Sequence, residues 1–243
     1  LEIDRCYNID CQEGIKLIGD GSVDLILTDP PYQVGYDNKA ASLSEIGKAC
    51  LKQLRRDAPY IEAKFDYELL AQEFYRVLKD NSHCYIFCSA KQICRWWRAL
   101  GKAGFKRKQL LIWKSSPKFD LTRGHYFLST HENIIFAHKG WKKLNRWAIE
   151  PSKFHSVLEY DKNVSNKWHP CEKPFLLLYD LLKLSTKPKD VVLDAFAGSG
   201  AHLIAAKRLG RHFIGFELAV PYHEVIQKRL GWENEQVGLG KFV

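Results

Sequence analysis

The feature that most constrains this chain is its alternation of short apolar runs with helical patterns. Seven runs are apolar and rich in β-branched or aromatic residues: CYNI near residue 7, VDLILTD, HCYIFCS, KQLLIWK, NIIFAHK, VVLDAF and HFIGFEL. Their length and composition read as strands. Helical patterns lie between several of them. Asp66 is placed to cap a helix whose Leu69, Leu70, Phe74, Val77 and Leu78 share one face. Lys91 to Ala103 reads as a second helix, with Trp96 and Trp97 as packing residues. Pro174 suits the first turn of a third, through Phe175, Leu178, Leu181 and Leu182. A fourth, Leu203 to Leu209, is closed by Gly210 and carries Lys207 and Arg208 near its negative end. A last helix follows Pro221. Strands alternating with helices predict an α/β fold with a mostly parallel sheet covered on both faces.

The 243 residues are enough for one such domain with a sizeable core. Lys and Arg number 37 against 28 acidic residues, a net charge of +9. That surplus suits a polyanionic partner, and would also suit an anionic membrane surface. No apolar run approaches the ~20 residues that span a bilayer, and the first residues do not read as a signal peptide. The seven cysteines contain no CxxC pair. Cys84 and Cys88 share one face of a strand, so buried thiols in a reducing compartment are expected rather than a metal site.

Two stretches depart from the alternation. Gln33 to Lys64 is weakly periodic, with six basic and four acidic residues. Lys139 to Trp168 has seven basic and three acidic residues, interleaved with Trp141, Trp147, Phe154, Tyr160 and Trp168. Both are expected as insertions carried at one edge of the sheet, and loops of this length are commonly functional.

Two strand ends carry candidate chemistry. VVLDAFAGSG, Val191 to Gly200, runs a buried strand into a turn of small residues and then a helix, so backbone can approach a ligand closely. Leu203 stands where a dinucleotide fingerprint wants glycine, and no GK[ST] follows for phosphates. Glu217, in GFEL at the next strand end, lies 17 residues after Gly200 and can accept two hydrogen bonds from a ribose diol. Turn and acid together describe a pocket for an adenosine without phosphates. The other strand end is TDPPYQVGY, Thr28 to Tyr36, after VDLIL. In isolation, Asp-Pro there is equally a plain turn opener.

DPPY plus FAGSG resembles the S-adenosylmethionine-dependent DNA amino-methyltransferases, which modify adenine N6 or cytosine N4. DPPY comes first and FAGSG last, which looks like the β group of these enzymes, circularly permuted so that the cofactor half is C-terminal. EFYRVLKDNSHCYIF, LLIWKSSP, HENIIFAHKG, HPCEKP and AAKRLGRHFIGFEL resemble that group's segments in order, so the likeness covers nearly the whole chain. It implies a Rossmann-like seven-stranded methyltransferase sheet. Residues 1–138 would be the catalytic half with a loop insert at 33–65, residues 139–168 a target-recognition insert, and residues 169–243 the cofactor half. S-adenosylmethionine would be lined by Phe196, Gly198, Ser199 and Gly200, with Asp194 supporting the turn and Glu217 on the ribose. Asp10 and the Cys11 backbone would meet the cofactor's adenine, and His169 and Lys173 its methionine end, with Asp29 bordering the same pocket. The family usually has proline where Ala195 stands, and two threonines where Ala201 and His202 stand.

The resemblance also gives DPPY a purpose. An exocyclic amine on a base is a poor nucleophile, because its lone pair is delocalised into the ring. Asp29 can accept one amino hydrogen and the Pro30 carbonyl the other, both facing the nitrogen where positive charge develops. Pro31 helps to keep the turn stiff, and Tyr32 offers a face on which a flipped-out base can stack. Lys139, Lys142, Lys143, Arg146 and Lys153 are expected to hold double-stranded DNA, with Lys39, Arg55 and Arg56 as a second clamp. Aspartate at position 29, where cytosine-N4 enzymes more often have serine, leans towards adenine N6; the alternatives are cytosine N4 and a catalytically silent DNA-binding relative. Pro170-Cys171 precedes FAGSG, contrary to the order in cytosine-C5 enzymes, and nothing in the sequence activates that thiol. The family implies a site-specific enzyme of the prokaryotic cytoplasm, associated with the nucleoid, and leaves room for a homodimer and a cognate restriction nuclease.

Overall fold

The computed structural model describes residues 1–32, 65–114, 130–161 and 172–238. All seven expected strands form: β1 (Arg5–Tyr7), β2 (Val23–Thr28), β3 (Leu78–Cys88), β4 (Arg107–Lys114), β5 (His131–Lys139), β7 (Val191–Asp194) and β8 (His212–Phe216). An eighth, β6 (Val157–Glu159), lies inside the stretch expected to be an insert. It pairs parallel with β4, Ile112 opposite Val157, and Trp113 Nε1 donates to the Tyr160 carbonyl at 2.9 Å. Three residues are too few for alternation to register, so β6 follows from tertiary pairing rather than from its own pattern.

The strands form one sheet in the order β1-β8-β7-β2-β3-β5-β4-β6. Only β5 among them runs antiparallel to its neighbours. Alternate residues of β2 and β3 feed opposite faces. Leu25, Leu27, Tyr85 and Phe87 join one apolar cluster, and Ile26, Cys84, Ile86 and Cys88 the other. That period of two, with both faces apolar, is what a covered central strand requires.

The covering helices come from the expected patterns. The short α1 (Cys11–Gly14), α2 (Tyr67–Val77) and α3 (Ile93–Ala103) pack on one face. The Asp66 carboxylate caps α2 by accepting from the Glu68 and Leu69 amides. Leu78, expected on that helix, already starts β3. Trp96 is fully buried, whereas Trp97 is partly exposed. The helices α4 (Phe175–Ser185), α5 (Ala201–Arg208) and α6 (Val220–Gly238) cover the other face through Leu178, Leu181, Leu203, Ile204 and Ile226. Chain leaving β2 thus crosses on one face and chain leaving β7 on the other. Open α/β sheets bind ligands in the crevice beyond such adjacent carboxyl ends.

Candidate active site

DPPY and the FAGSG turn meet at that crevice. β2 ends at Thr28, which places Asp29 at the strand tip. Asp29 Oδ2 pairs with Lys173 Nζ, delivered by the segment leading into α4. Lys173 is buried, lies 3.2 Å from Glu132 on β5, and stands 5.3 and 5.2 Å from the ring centres of Tyr32 and Phe87. The Tyr32 hydroxyl donates to Glu132 at 2.8 Å, which fixes the ring beside Asp29. Gln92 Nε2 donates to the Pro31 carbonyl at 3.0 Å. The second Asp29 oxygen, Oδ1, is buried and accepts no hydrogen bond among the described residues. Burial pushes the Asp29 carboxyl above the usual carboxylate range, against the pull of Lys173 and with the push of Glu132. The site therefore holds a carboxylate with one oxygen anchored by Lys173 and one left without a partner among the described residues.

Asp194, at the end of β7, ties this strand tip to the glycine turn. Its Oδ1 accepts from the Thr28 hydroxyl at 2.8 Å and the Phe196 amide at 3.1 Å. Its Oδ2 meets His202 Nδ1 at 2.7 Å. Beyond it, Gly198 and Gly200 take φ of +54° and +83°, a region unfavourable to other residues. A Cβ on Gly200 would lie 3.0 Å from Ile226 of α6, so the turn also needs glycine for packing. Glu217, just past β8, accepts from the Gly198 and Ala219 amides, both at 2.8 Å, and burial pushes its carboxyl upward. Phe196 packs against Phe65 with ring centres 5.2 Å apart.

Several expected residues therefore converge: Asp29 to Tyr32, Lys173, Asp194, Phe196, Gly198 to Gly200 and Glu217. Asp10 stands at the adjacent β1 end, where its carboxylate caps α1 by accepting from the Gln12 amide at 2.7 Å, and Cys11 is buried behind it. The Lys173 ammonium meets Asp29 and Glu132. Ser199 is gripped by neighbours that sequence reasoning missed. Its hydroxyl donates to Glu172 at 3.0 Å, its carbonyl accepts from Arg229 at 2.7 Å, and Glu172 and Arg229 pair at 2.9 Å. Glu132 and Glu172 lie within HENIIFAHKG and HPCEKP, but nothing in those segments sets them against Lys173 or Ser199, and Gln92 has no motif of its own. His169, Lys39, Arg55 and Arg56 lie outside the described residues.

The residues of the expected basic recognition stretch are spread along the sheet. Lys139 donates to the Tyr75 and Leu78 carbonyls at 2.9 and 2.6 Å, so its charge anchors β5 and is not offered to phosphate. Because β5 runs backwards, its last residue lies opposite Ser82, six residues before the catalytic-end residue Cys88. That is about 20 Å away, at a strand's rise of about 3.3 Å per residue. The chain beyond it remains at the far end: Trp141 N donates to Asn81, and Asn145 N to Leu184 at the end of α4. Lys142, Lys143 and Arg146 therefore sit away from the Asp29 pocket, and Lys153 lies partway back, 3.5 Å from Asp180. A sequence count of charges carries no strand direction, which is why a single basic stretch looked like a single surface.

The comparisons with known proteins fit this geometry. A family model described as DNA methylase (N6_N4_Mtase) matches residues 23–228. The type II methyltransferase M2.DpnII of Streptococcus pneumoniae is 32% identical over 232 residues, covering 88% of this chain and 84% of that protein. The type II methyltransferase M.HinfI of Haemophilus influenzae is 31% identical over 241 residues, 91% of this chain but only 66% of its own length. Among solved structures, the M1.HpyAVI–SAM complex superposes with a TM-score of 0.66 at 24% identity, covering 93% of this chain and 98% of that one. The cytosine-N4-specific PvuII DNA methyltransferase gives 0.72 at 20% identity, covering 92% and 85%. These two show that the fold is that of the DNA methyltransferases. With most of its length matched by the family model and by M2.DpnII, this chain belongs to the N6/N4 DNA methylase family.

Proposed function

We propose that the protein transfers a methyl group from S-adenosylmethionine to the N6 amine of adenine in double-stranded DNA. The observation that carries this reading is the buried, unpartnered Asp29 Oδ1 at the crevice beside the glycine turn. An amine hydrogen is the donor such an oxygen needs, and a carboxylate facing the nitrogen stabilises the charge that develops there. Lys173 holds the other oxygen, so the acceptor is aimed before substrate arrives. Tyr32, braced by Glu132, offers its ring to a base that must leave the duplex stack.

The residues on the other side of the crevice fit the cofactor. Gly198 and Gly200 form a turn that a ligand can approach closely, and Glu217 stands at the next strand end with a carboxylate suited to a ribose diol. Bound there, S-adenosylmethionine supplies an electrophilic methyl group on sulfur. Asp194 holds the turn in register with Asp29, and Asp10 stands where an adenine amine would be read. Lys39, Arg55 and Arg56 are the DNA clamp in this reading, as cations suited to neutralising phosphates.

Aspartate rather than serine at position 29 favours adenine over cytosine. The test is transfer of labelled methyl to duplex DNA followed by digestion to nucleosides. Label in N6-methyldeoxyadenosine is expected. Label in N4-methyldeoxycytidine would replace the base assignment, and no label in any base would reduce the chain to a DNA-binding relative.

A further inference from the structure

His202 departs from the threonine expected after the glycine turn, and the structure gives it an unusual setting. It is the second residue of α5 and only 4% exposed. Its Nδ1 lies 2.7 Å from Asp194 Oδ2. Asp194 also takes the Thr28 hydroxyl and the Phe196 amide, as an ionised carboxylate does. A carboxylate only accepts, so Nδ1 carries the proton and Nε2 presents a lone pair. Nε2 is buried and has no hydrogen-bond partner among the described residues. The ring packs 5.9 Å from Phe87, whose ring also faces the Lys173 ammonium that pairs with Asp29. Asp29 Oδ1 and His202 Nε2 are thus two buried acceptors without partners among the described residues, linked through the Phe87, Lys173 and Asp29 contacts.

We propose that His202 is the base that takes the proton released from the target amine. This rests on the methyltransferase reading above and adds a proton acceptor to it. As the N–CH3 bond forms, the S–CH3 bond breaks and its electron pair stays on sulfur. The methylated nitrogen then carries a positive charge. Its N–H bond breaks with the electron pair left on nitrogen, and the proton passes from the Asp29 side of the crevice to His202 Nε2. The resulting imidazolium is held by Asp194, an arrangement in which a carboxylate orients and stabilises a histidine base. Asp29 remains the hydrogen-bond acceptor that aims the amine. The charged groups around the ring are Asp194 on β7, Asp29 beyond β2, and Lys173 with Glu132 behind Asp29. The helices α4 and α6 meet α5 through apolar side chains, and Glu172 and Arg229 are paired with each other at Ser199.

The experiment measures single-turnover methyl transfer against pH for the wild type and for His202→Asn, which keeps an N–H for Asp194 but no base. The variant should be slower by about 100-fold, within the range of a general base, and its pH profile should differ from that of the wild type. Its cofactor affinity by calorimetry should change by less than about threefold, which marks a defect in the reaction rather than in binding. In parallel, 15N spectra of histidine-labelled wild type without ligands should show the Nδ1–H tautomer at His202. A variant with wild-type rate and pH profile overturns the proposal while leaving the methyltransferase reading intact. So does an Nε2–H tautomer, which decides the matter even if the variant fails to fold. Wild-type protein that methylates no DNA base overturns the underlying reading instead.

Discussion

At the scale of single residues, the site is governed by the Asp29–Lys173 pair. Burial holds the Asp29 carboxyl above the usual range, and Lys173 opposes that rise. Protonation removes the negative charge with which Asp29 stabilises the amine nitrogen as it becomes positive, so transfer is expected to slow as pH drops through this raised value, not through the ordinary carboxylate range. Lys173→Met removes the opposing charge, and the loss should then begin at higher pH. The same change leaves a buried carboxylate without its cation, a cost of about 3 kcal/mol measurable by urea unfolding. An acid limb that does not move would separate Lys173 from Asp29 electrostatically. DPPY, FAGSG and Glu217 were legible in the sequence because each works through its own local backbone. Glu132, Glu172, Gln92 and Arg229 were not, because a strand glutamate or helix arginine gains its role only from what the fold sets opposite it.

Among the elements, the seam joining β3, β5 and α4 carries a second titrating group. His83 on β3 is buried between Ser185 and the Lys142 carbonyl, at 2.9 and 3.1 Å. Burial lowers its pKa to about 4. The native imidazole is therefore neutral where the unfolded one begins to bind a proton, so stability falls as pH drops from about 6.5 towards 4. The shift amounts to roughly 3 kcal/mol over that window. Denaturant melts of the wild type and His83→Gln should diverge in slope below pH 6.5, the variant being flatter; parallel curves would exclude His83 as the source. Seven strands were legible because apolar alternation survives in each. The reversal of β5 was not legible, since strand direction leaves no mark on composition.

For the whole molecule, the net charge of +9 matters through where it lies. DNA affinity should fall linearly with salt on a log–log plot, with a slope of several released ions. Replacing Lys143 and Arg146 with alanine should leave that slope nearly unchanged, because they stand at the far end of the sheet. Replacing Lys39, Arg55 and Arg56 should lower it by about one for each phosphate that is no longer neutralised. The reverse pattern in a fluorescence titration would put the duplex on the opposite end of the protein. The account as a whole turns on Asp29, and single-turnover transfer by Asp29→Ala, paired with calorimetric cofactor binding, tests it most directly. Transfer should drop by at least about 1000-fold while cofactor affinity stays within about threefold of wild type. A variant that methylates DNA at close to the wild-type rate would contradict the account.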